Sequence, residues 1–364
     1  MPHGAFGRSR WCKVTVEILI GDVFERLAEL PAESVDCVVT SPPYWGLRDY
    51  GVDGQIGMEP TLAEHLDVMV RVFDAVRRVM RPAGTLWLNY GDCYASTPNG
   101  RSAAAVKAAG RDDRTFRDKP MSTVGGALKA KDLCMIPNRL AIALQEDGWW
   151  VRSEIVWGKP NPMPDSSGRY RPSTAHEKIF LLTKSAKSYY DSVAVRMPPA
   201  GVEVSNGYPG SDGDGVRKRS TVGNIRTDKQ RGHSRRHAGF NDLWDAMSKA
   251  EQQANGRLLR NYEPDLSPIV PPQVWEIATR GFPGAHFATF PPALVAPCIM
   301  AGCPDGGMVL DPFGGAGTTA LVADRLCRDA ILIELNPEYA EIARKRIKGD
   351  GALFADVCVS EAAE

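Results

Sequence analysis

Asp311-Pro312-Phe313-Gly314-Gly315-Ala316-Gly317-Thr318-Thr319 decides the fold. It follows the apolar run Met308-Val309-Leu310 and precedes a helical pattern from Thr318 to Cys327, so a strand, a tight loop and a helix succeed one another. Glycines at such a junction let the backbone turn sharply and approach a ligand closely. The loop lacks the Gly-Lys-Ser/Thr ending of a phosphate-binding loop and the third glycine of the dinucleotide fingerprint. It offers instead an acid at its mouth, Asp311. A second acid, Glu334, ends the next strand, Ile331 to Glu334, 23 residues on. A doubly wound fold places its ribose-binding carboxylate about 20 residues on. Together these features point to an adenosine-bearing ligand; a structural turn with a helix-capping acid is the plainer alternative.

Outward from the loop, the α/β pattern continues. Glu338 to Ile347 has helical spacing, and an apolar helical run precedes the loop after Pro291. At the other end of the chain, Val14–Ile20, Val35–Thr40 and Thr85–Asn89 are β-branched or apolar strands. Apolar residues between Thr61 and Met80 recur at helical intervals until Arg81-Pro82-Ala83-Gly84 stops them. Pro137 to Glu146 is helical, and Trp150–Trp157 and Lys178–Thr183 are strands joined by a proline-broken loop, 159–177. Such alternation predicts an α/β, doubly wound, mostly parallel sheet with helices on both faces. Residues from about 96 to 130 have weak periodicity and are expected to form a mobile loop.

Forty-four basic and 44 acidic residues leave the 364-residue chain formally neutral, which excludes a uniformly basic nucleic-acid binder. Any such surface must be local. Apolar runs thin out between about 197 and 284, where Arg217, Lys218, Arg219, Arg226, Lys229, Arg231, Arg235 and Arg236 face one acid, Asp228. An isolated run of this kind is a solvated insertion or a phosphate-binding surface. Eight scattered cysteines form no CxxC pair, so neither a zinc ribbon nor a disulfide framework is indicated and no metal is expected. No segment has the ~18 apolar residues of a membrane span, and the first residues lack a signal-peptide core. A soluble, cytoplasmic protein, monomer or homodimer, is the expectation.

A second motif, Thr40-Ser41-Pro42-Pro43-Tyr44-Trp45, follows the strand Val35–Thr40. Two prolines stiffen the backbone and remove two N–H donors, so the carbonyls remain as fixed acceptors. Ser41 adds a side-chain acceptor, and Tyr44 and Trp45 add flat apolar faces. The turn suits a planar ring bearing an exocyclic amine, or equally a proline-stiffened connection with aromatics in the core. Together with the glycine loop it resembles the amino-methyltransferases of DNA, in the group where the catalytic Asp/Asn/Ser-Pro-Pro-aromatic turn precedes a target-recognition region and then the cofactor motifs. The resemblance covers most of the chain outside about 96–130 and 197–284.

That resemblance implies a circularly permuted, seven-stranded methyltransferase sheet with an inserted target-recognition region. Residues 1–196 and 285–350 would be the catalytic and cofactor-binding parts of one domain, 197–284 the DNA-binding region and 351–364 a tail. S-adenosyl-L-methionine would be held by Asp22, His286, Phe287, Asp311, Phe313, Gly314, Gly315, Gly317, Thr318, Thr319, Glu334 and Asn336. Trp157-Gly158-Lys159-Pro160 and His176-Glu177 resemble later family motifs near the target base. Ser41, Pro42, Pro43 and Tyr44 would be catalytic: Ser41 and the Pro42 carbonyl accept the amine hydrogens, and Tyr44 stacks on a base flipped out of duplex DNA. Serine at the first position favours N4 of cytosine over N6 of adenine. Carbon-5 chemistry would need a cysteine nucleophile, whereas Cys298 lies in an apolar helical run and is expected to be buried. RNA or protein amide methylation, a catalytically inactive DNA-binding module and a nicotinamide enzyme are weaker alternatives. A cognate restriction endonuclease is a possible partner.

Overall fold

The computed structural model describes residues 14–49, 52–97, 121–162, 170–196, 271–279, 290–351 and 355–361. The basic run 217–236, His286 and Phe287 lie outside them. The described elements belong to one unit drawn from 1–195 and 272–364. In chain order they are β1 (Val14–Ile20), α1 (Val23–Glu29), β2 (Val35–Thr40), α2 (Leu62–Val79), β3 (Met80–Tyr90), α3 (Ile136–Glu146), β4 (Trp150–Gly158) and β5 (His176–Thr183). Then come β6 (Val274–Glu276), α4 (Pro292–Gly302), β7 (Met308–Asp311), α5 (Thr318–Arg325), β8 (Asp329–Glu334), α6 (Pro337–Gly351) and β9 (Ala355–Glu361).

Among the described residues, nine strands form one sheet in the order β6-β4-β5-β3-β2-β7-β8-β1-β9. All neighbours pair in parallel except β5, which is antiparallel to both β3 and β4. Successive strand residues point to opposite faces. Val16 and Ile18 of β1, Val39 of β2 and Val309 of β7 join a core with α4, α5 and α6. Leu19, Val38 and Leu310 join the opposite core with α1, α2 and α3. The sheet is doubly wound, as expected.

Local chemistry sets the helix limits. Thr61 and Glu64 close a reciprocal capping box at the start of α2: Glu64 N donates to Thr61 Oγ1 at 3.2 Å and Thr61 N to Glu64 Oε2 at 2.9 Å. Met69, Val72, Phe73, Val76 and Val79 then bury one face. Burial of each such side chain stabilises by ~1.5–3 kcal/mol. α4 begins on Pro291-Pro292 and is buried nearly all round, Cys298 included. No described helix is long and apolar enough to cross a membrane.

Four expectations need correction. Among the described residues the sheet has nine strands where seven were expected, the additions being the three-residue β6 and β9 near the C-terminal end. Residues 351–364 are accordingly more than a tail: 355–361 pair in parallel with β1. The described parts of the supposed mobile loop 96–130 are tied down, with Thr123 N donating to Ser96 O at 2.9 Å and Ser96 N to Thr123 Oγ1 at 2.9 Å. Finally, Cys327 is disulfide-bonded, although the cysteine spacing indicates no disulfide framework; Cys37, Cys298, Cys303 and Cys358 are free thiols.

Candidate active site

Strands β2, β7, β8 and β1 are adjacent and parallel, so their carboxyl ends share one edge of the sheet. That edge is where open α/β sheets bind ligands. β5 runs the other way and therefore brings its first residues, His176 and Glu177, to the same edge as the end of β4 and Lys159. A cavity of about 540 Å³ opens there.

One wall is the glycine loop. Gly314 N donates to Ile333 O at 2.7 Å, folding the loop back over the end of β8. Gly317 caps α5 at φ 73°, and a Cβ there would lie 2.8 Å from the Ala343 Cβ of α6. Only glycine fits both the left-handed backbone and that approach. Glu334 points back at the loop: its Oε2 accepts from Gly315 N at 2.7 Å and its Oε1 from Asn336 N at 2.9 Å. Burial raises its carboxyl to about 7, against the opposing pull of these N–H donors.

The other wall is the Ser-Pro-Pro-Tyr turn. Thr40 Oγ1 donates to Asp311 Oδ1 at 2.7 Å, tying the turn to the glycine loop across 271 residues of chain. The turn is also held from below. The Tyr90 hydroxyl lies 3.0 Å from the Pro43 carbonyl, 2.8 Å from His65 Nε2 and 3.2 Å from Trp45 N, and His65 Nδ1 lies 2.8 Å from Glu59 Oε2. Tyr44 stacks on Tyr90 with ring centroids 4.8 Å apart. Its hydroxyl donates to Glu177 Oε2 at 2.9 Å, and Glu177 Oε1 is ion-paired with Lys159. Burial, with the Glu177 charge adding, raises the Tyr44 phenol well above its usual range, and the nearby Ser41 side chain opposes the shift.

The cavity brings together Asp22, Ser41, Pro42, Pro43, Tyr44, Asp311, Phe313, Gly314, Gly315, Thr318, Glu334 and Asn336. Gly317 and Thr319 are not in its lining: Gly317 packs on α6, and Thr319 Oγ1 donates to Asp311 Oδ2 at 2.7 Å inside the core. Asp311 is likewise less available than expected. It is 2% exposed, its oxygens accept from Thr40, Thr319 and Phe313 N, and burial raises it to about 6. It acts as a strut between the two walls. Asp22 lies at the rim with Oδ1 committed to capping α1, accepting from Phe24 N at 2.8 Å. Glu177 and Lys159, whose segments resemble family motifs near the target base but carried no assigned role, line the cavity as well. A lysine just past one strand end and an acid one residue into its antiparallel neighbour was the available signal.

A parallel sheet whose adjoining strand ends carry a glycine loop with a facing acid, and a proline-fixed acceptor turn, defines the class of amino-group methyltransferases. Residues 35–345 match the family model described as DNA methylase. The chain is 41% identical over 330 residues to the type II methyltransferase M.Cfr9I of Citrobacter freundii, covering 91% of this chain and 87% of that one. It is 38% identical to the type II methyltransferase M.SmaI of Serratia marcescens, over 93% and 91% of the two chains. In fold it matches the PvuII DNA methyltransferase (cytosine-N4-specific) with a TM-score of 0.55, at 16% identity over 96% and 98% of the chains. The chain belongs to the N6/N4 DNA methylase family and is an S-adenosylmethionine-dependent type II DNA methyltransferase.

The residues present fit that cofactor. Glu334 would offer carboxylate oxygens to a ribose diol, and Val23, Phe313, Leu335 and Tyr339 line the cavity beside it.

Proposed function

We propose that this enzyme methylates the exocyclic N4 amine of cytosine in duplex DNA, on a base flipped out of the helix into the cavity. The observation that carries the proposal is the junction of the two walls: the Thr40–Asp311 hydrogen bond puts the start of the Ser-Pro-Pro-Tyr turn against the glycine loop within one cavity. S-adenosylmethionine supplies a sulfonium methyl group. The chain supplies acceptors: Ser41 Oγ and the Pro42 carbonyl take the two amine hydrogens, which favours a tetrahedral nitrogen with its lone pair free for in-line attack. Catalysis is then mainly positioning and electrostatics. Tyr44, backed by Tyr90, stacks on the base. Base flipping costs a few kcal/mol, which stacking and hydrogen bonding in the pocket offset.

Serine at position 41 and the cytosine-N4 specificity of the PvuII enzyme, whose fold this chain shares, support cytosine. Arg217, Lys218, Arg219, Arg226, Lys229, Arg231, Arg235 and Arg236 are proposed to contact the phosphates of the target duplex. The type II names of the relatives support pairing with a restriction endonuclease of the same specificity. Plasmid DNA incubated with enzyme and cofactor, then digested to nucleosides for mass spectrometry, should contain N4-methylcytosine. N6-methyladenine as the sole product overturns the base assignment.

A further inference from the structure

Asn89 lines the cavity but belongs to neither the glycine loop nor the Ser-Pro-Pro-Tyr turn. Thr40 of β2 pairs with Leu88 of β3, so Asn89 is the next residue on, beside Ser41 at the start of the turn. β3 flanks β2 on the side away from β7, and thus away from the glycine loop. An amine held at Ser41 toward the cofactor therefore leaves the rest of its ring on the β3 side. Asn89 is 5% exposed, and among the described residues its amide makes one hydrogen bond, Nδ2 to Lys178 O of β5 at 3.2 Å. That bond fixes which way the amide faces, since the reverse would set two oxygens together. An asparagine amide has two N–H donors and an acceptor oxygen. One N–H and Oδ1 thus remain unspent on the cavity wall. Buried polar groups are as a rule hydrogen-bonded, which calls for a ligand here.

We propose that Asn89 reads the flipped base: its second N–H donates to the ring nitrogen beside the amine-bearing carbon, N3 in cytosine. This rests on the target being an exocyclic amine on an aromatic ring. Ser41 and the Pro42 carbonyl grip the amine at one corner of the ring, about which the ring can still swing. A third contact at N3 stops that motion and holds the amine lone pair on the line to the sulfonium methyl. The same contact discriminates. N3 of cytosine has a lone pair and no hydrogen, whereas the corresponding nitrogens of thymine and guanine carry a hydrogen and adjoin a carbonyl. Their N–H would meet the Asn89 donor and their carbonyl would meet Oδ1, so a keto base is refused twice over. A site built to hydrogen-bond its substrate rejects a mismatched polar edge far more strongly than it rejects a missing methylene.

The test crosses enzyme variants with a substrate analogue. Once the methylated site has been mapped on plasmid DNA, single-turnover rates are measured on duplexes carrying cytosine or 3-deazacytosine at the target. The analogue keeps the amine and replaces N3 by C–H. The ratio of the two rates in one enzyme contains the intrinsic reactivity of the two amines, which cancels when enzymes are compared. One hydrogen bond is worth about tenfold. The cytosine-to-analogue ratio should therefore fall about tenfold from wild type to Asn89→Ala. Asn89→Asp, nearly the same shape with acceptors only, should lower the ratio at least as far and serves where the alanine variant fails to fold. Wild-type S-adenosylmethionine affinity by calorimetry identifies the folded variants. A ratio equal to that of the wild type in a folded variant overturns the proposal and leaves Asn89 as a brace for Lys178 of β5. N6-methyladenine as the wild-type product overturns only the base assignment. Adenine N1 stands in the same place relative to its amine, and 1-deazaadenine then replaces 3-deazacytosine in the comparison.

Discussion

At Glu334, burial and ligand chemistry pull in opposite directions. Burial raises the carboxyl to about 7, so near neutrality the empty site holds a mixture of acid and carboxylate. Only the carboxylate can accept hydrogen bonds from both hydroxyls of a ribose and attract a sulfonium. A ligand that selects the ionised form binds about tenfold more weakly for each pH unit well below the pKa of the free site. S-adenosylmethionine affinity should therefore fall by about tenfold from pH 8 to pH 6, measured by calorimetry. Glu334→Gln should bind weakly at both values and show a flat profile. The sign is opposite for folding of the ligand-free protein: ionising a buried acid disfavours the native state, so this residue's contribution falls as pH rises toward 7. Ser41 separates binding from chemistry. Ser41→Ala should keep cofactor affinity within about twofold while losing ~10²-fold in rate; unchanged turnover would remove Ser41 from the mechanism.

Elements act by holding these residues still. The Ser-Pro-Pro-Tyr turn is not a free loop; the Tyr90 hydroxyl of β3 bridges the Pro43 carbonyl, Trp45 N and His65 of α2. Tyr90→Phe leaves those buried groups short of a partner, at ~1–3 kcal/mol. It should lower the melting temperature and cut the methylation rate with cofactor affinity intact, because the glycine loop lies on the other wall. Next to it, a Cβ at Gly91 would lie 2.6 Å from Tyr44 Cε2. Gly91→Ala should push the Tyr44 ring out of place and lose activity while binding S-adenosylmethionine normally; wild-type turnover would show that the ring needs no such fixing. Much of this scaffold was legible, because β1, β2, β7 and β8 are short β-branched runs ending in glycine, proline or acid. The errors share a cause. Pro82-Ala83-Gly84 reads locally as a chain break, yet it lies inside β3, where the pairing with β2 slips between Val35 and Cys37. β9 alternates only over Ala355, Val357 and Val359, and of these Val359 is exposed, so the pattern is too short to mark a strand beside a C-terminal run of small residues. Asp311 could be placed at the cavity from sequence, but its bonds to Thr40 and Thr319 depend on strand order. Glu177 and Lys159 meet only because β5 is antiparallel.

At the scale of the whole molecule, charge is the informative quantity. A formally neutral chain of 364 residues has no general attraction for DNA, so affinity must come from a local concentration of cations. The run from Arg217 to Arg236 is the densest in the sequence, with eight lysines or arginines against one aspartate. Each phosphate neutralised releases condensed counterions, and the slope of log affinity against log salt is about −0.9 per contact. If about six of these residues touch phosphate, binding to a cognate duplex should weaken ~10³-fold between 50 and 200 mM salt. S-adenosylmethionine binding, which Glu334 and the glycine loop would carry, should change far less over the same range. Replacing Arg235 and Arg236 together by alanine should reduce the magnitude of the salt slope by about 2, whether the duplex carries the target site or not. Fluorescence anisotropy across a salt series measures both quantities. A slope unaltered by that replacement would move DNA contact to other residues and leave the basic run as a solvated insertion.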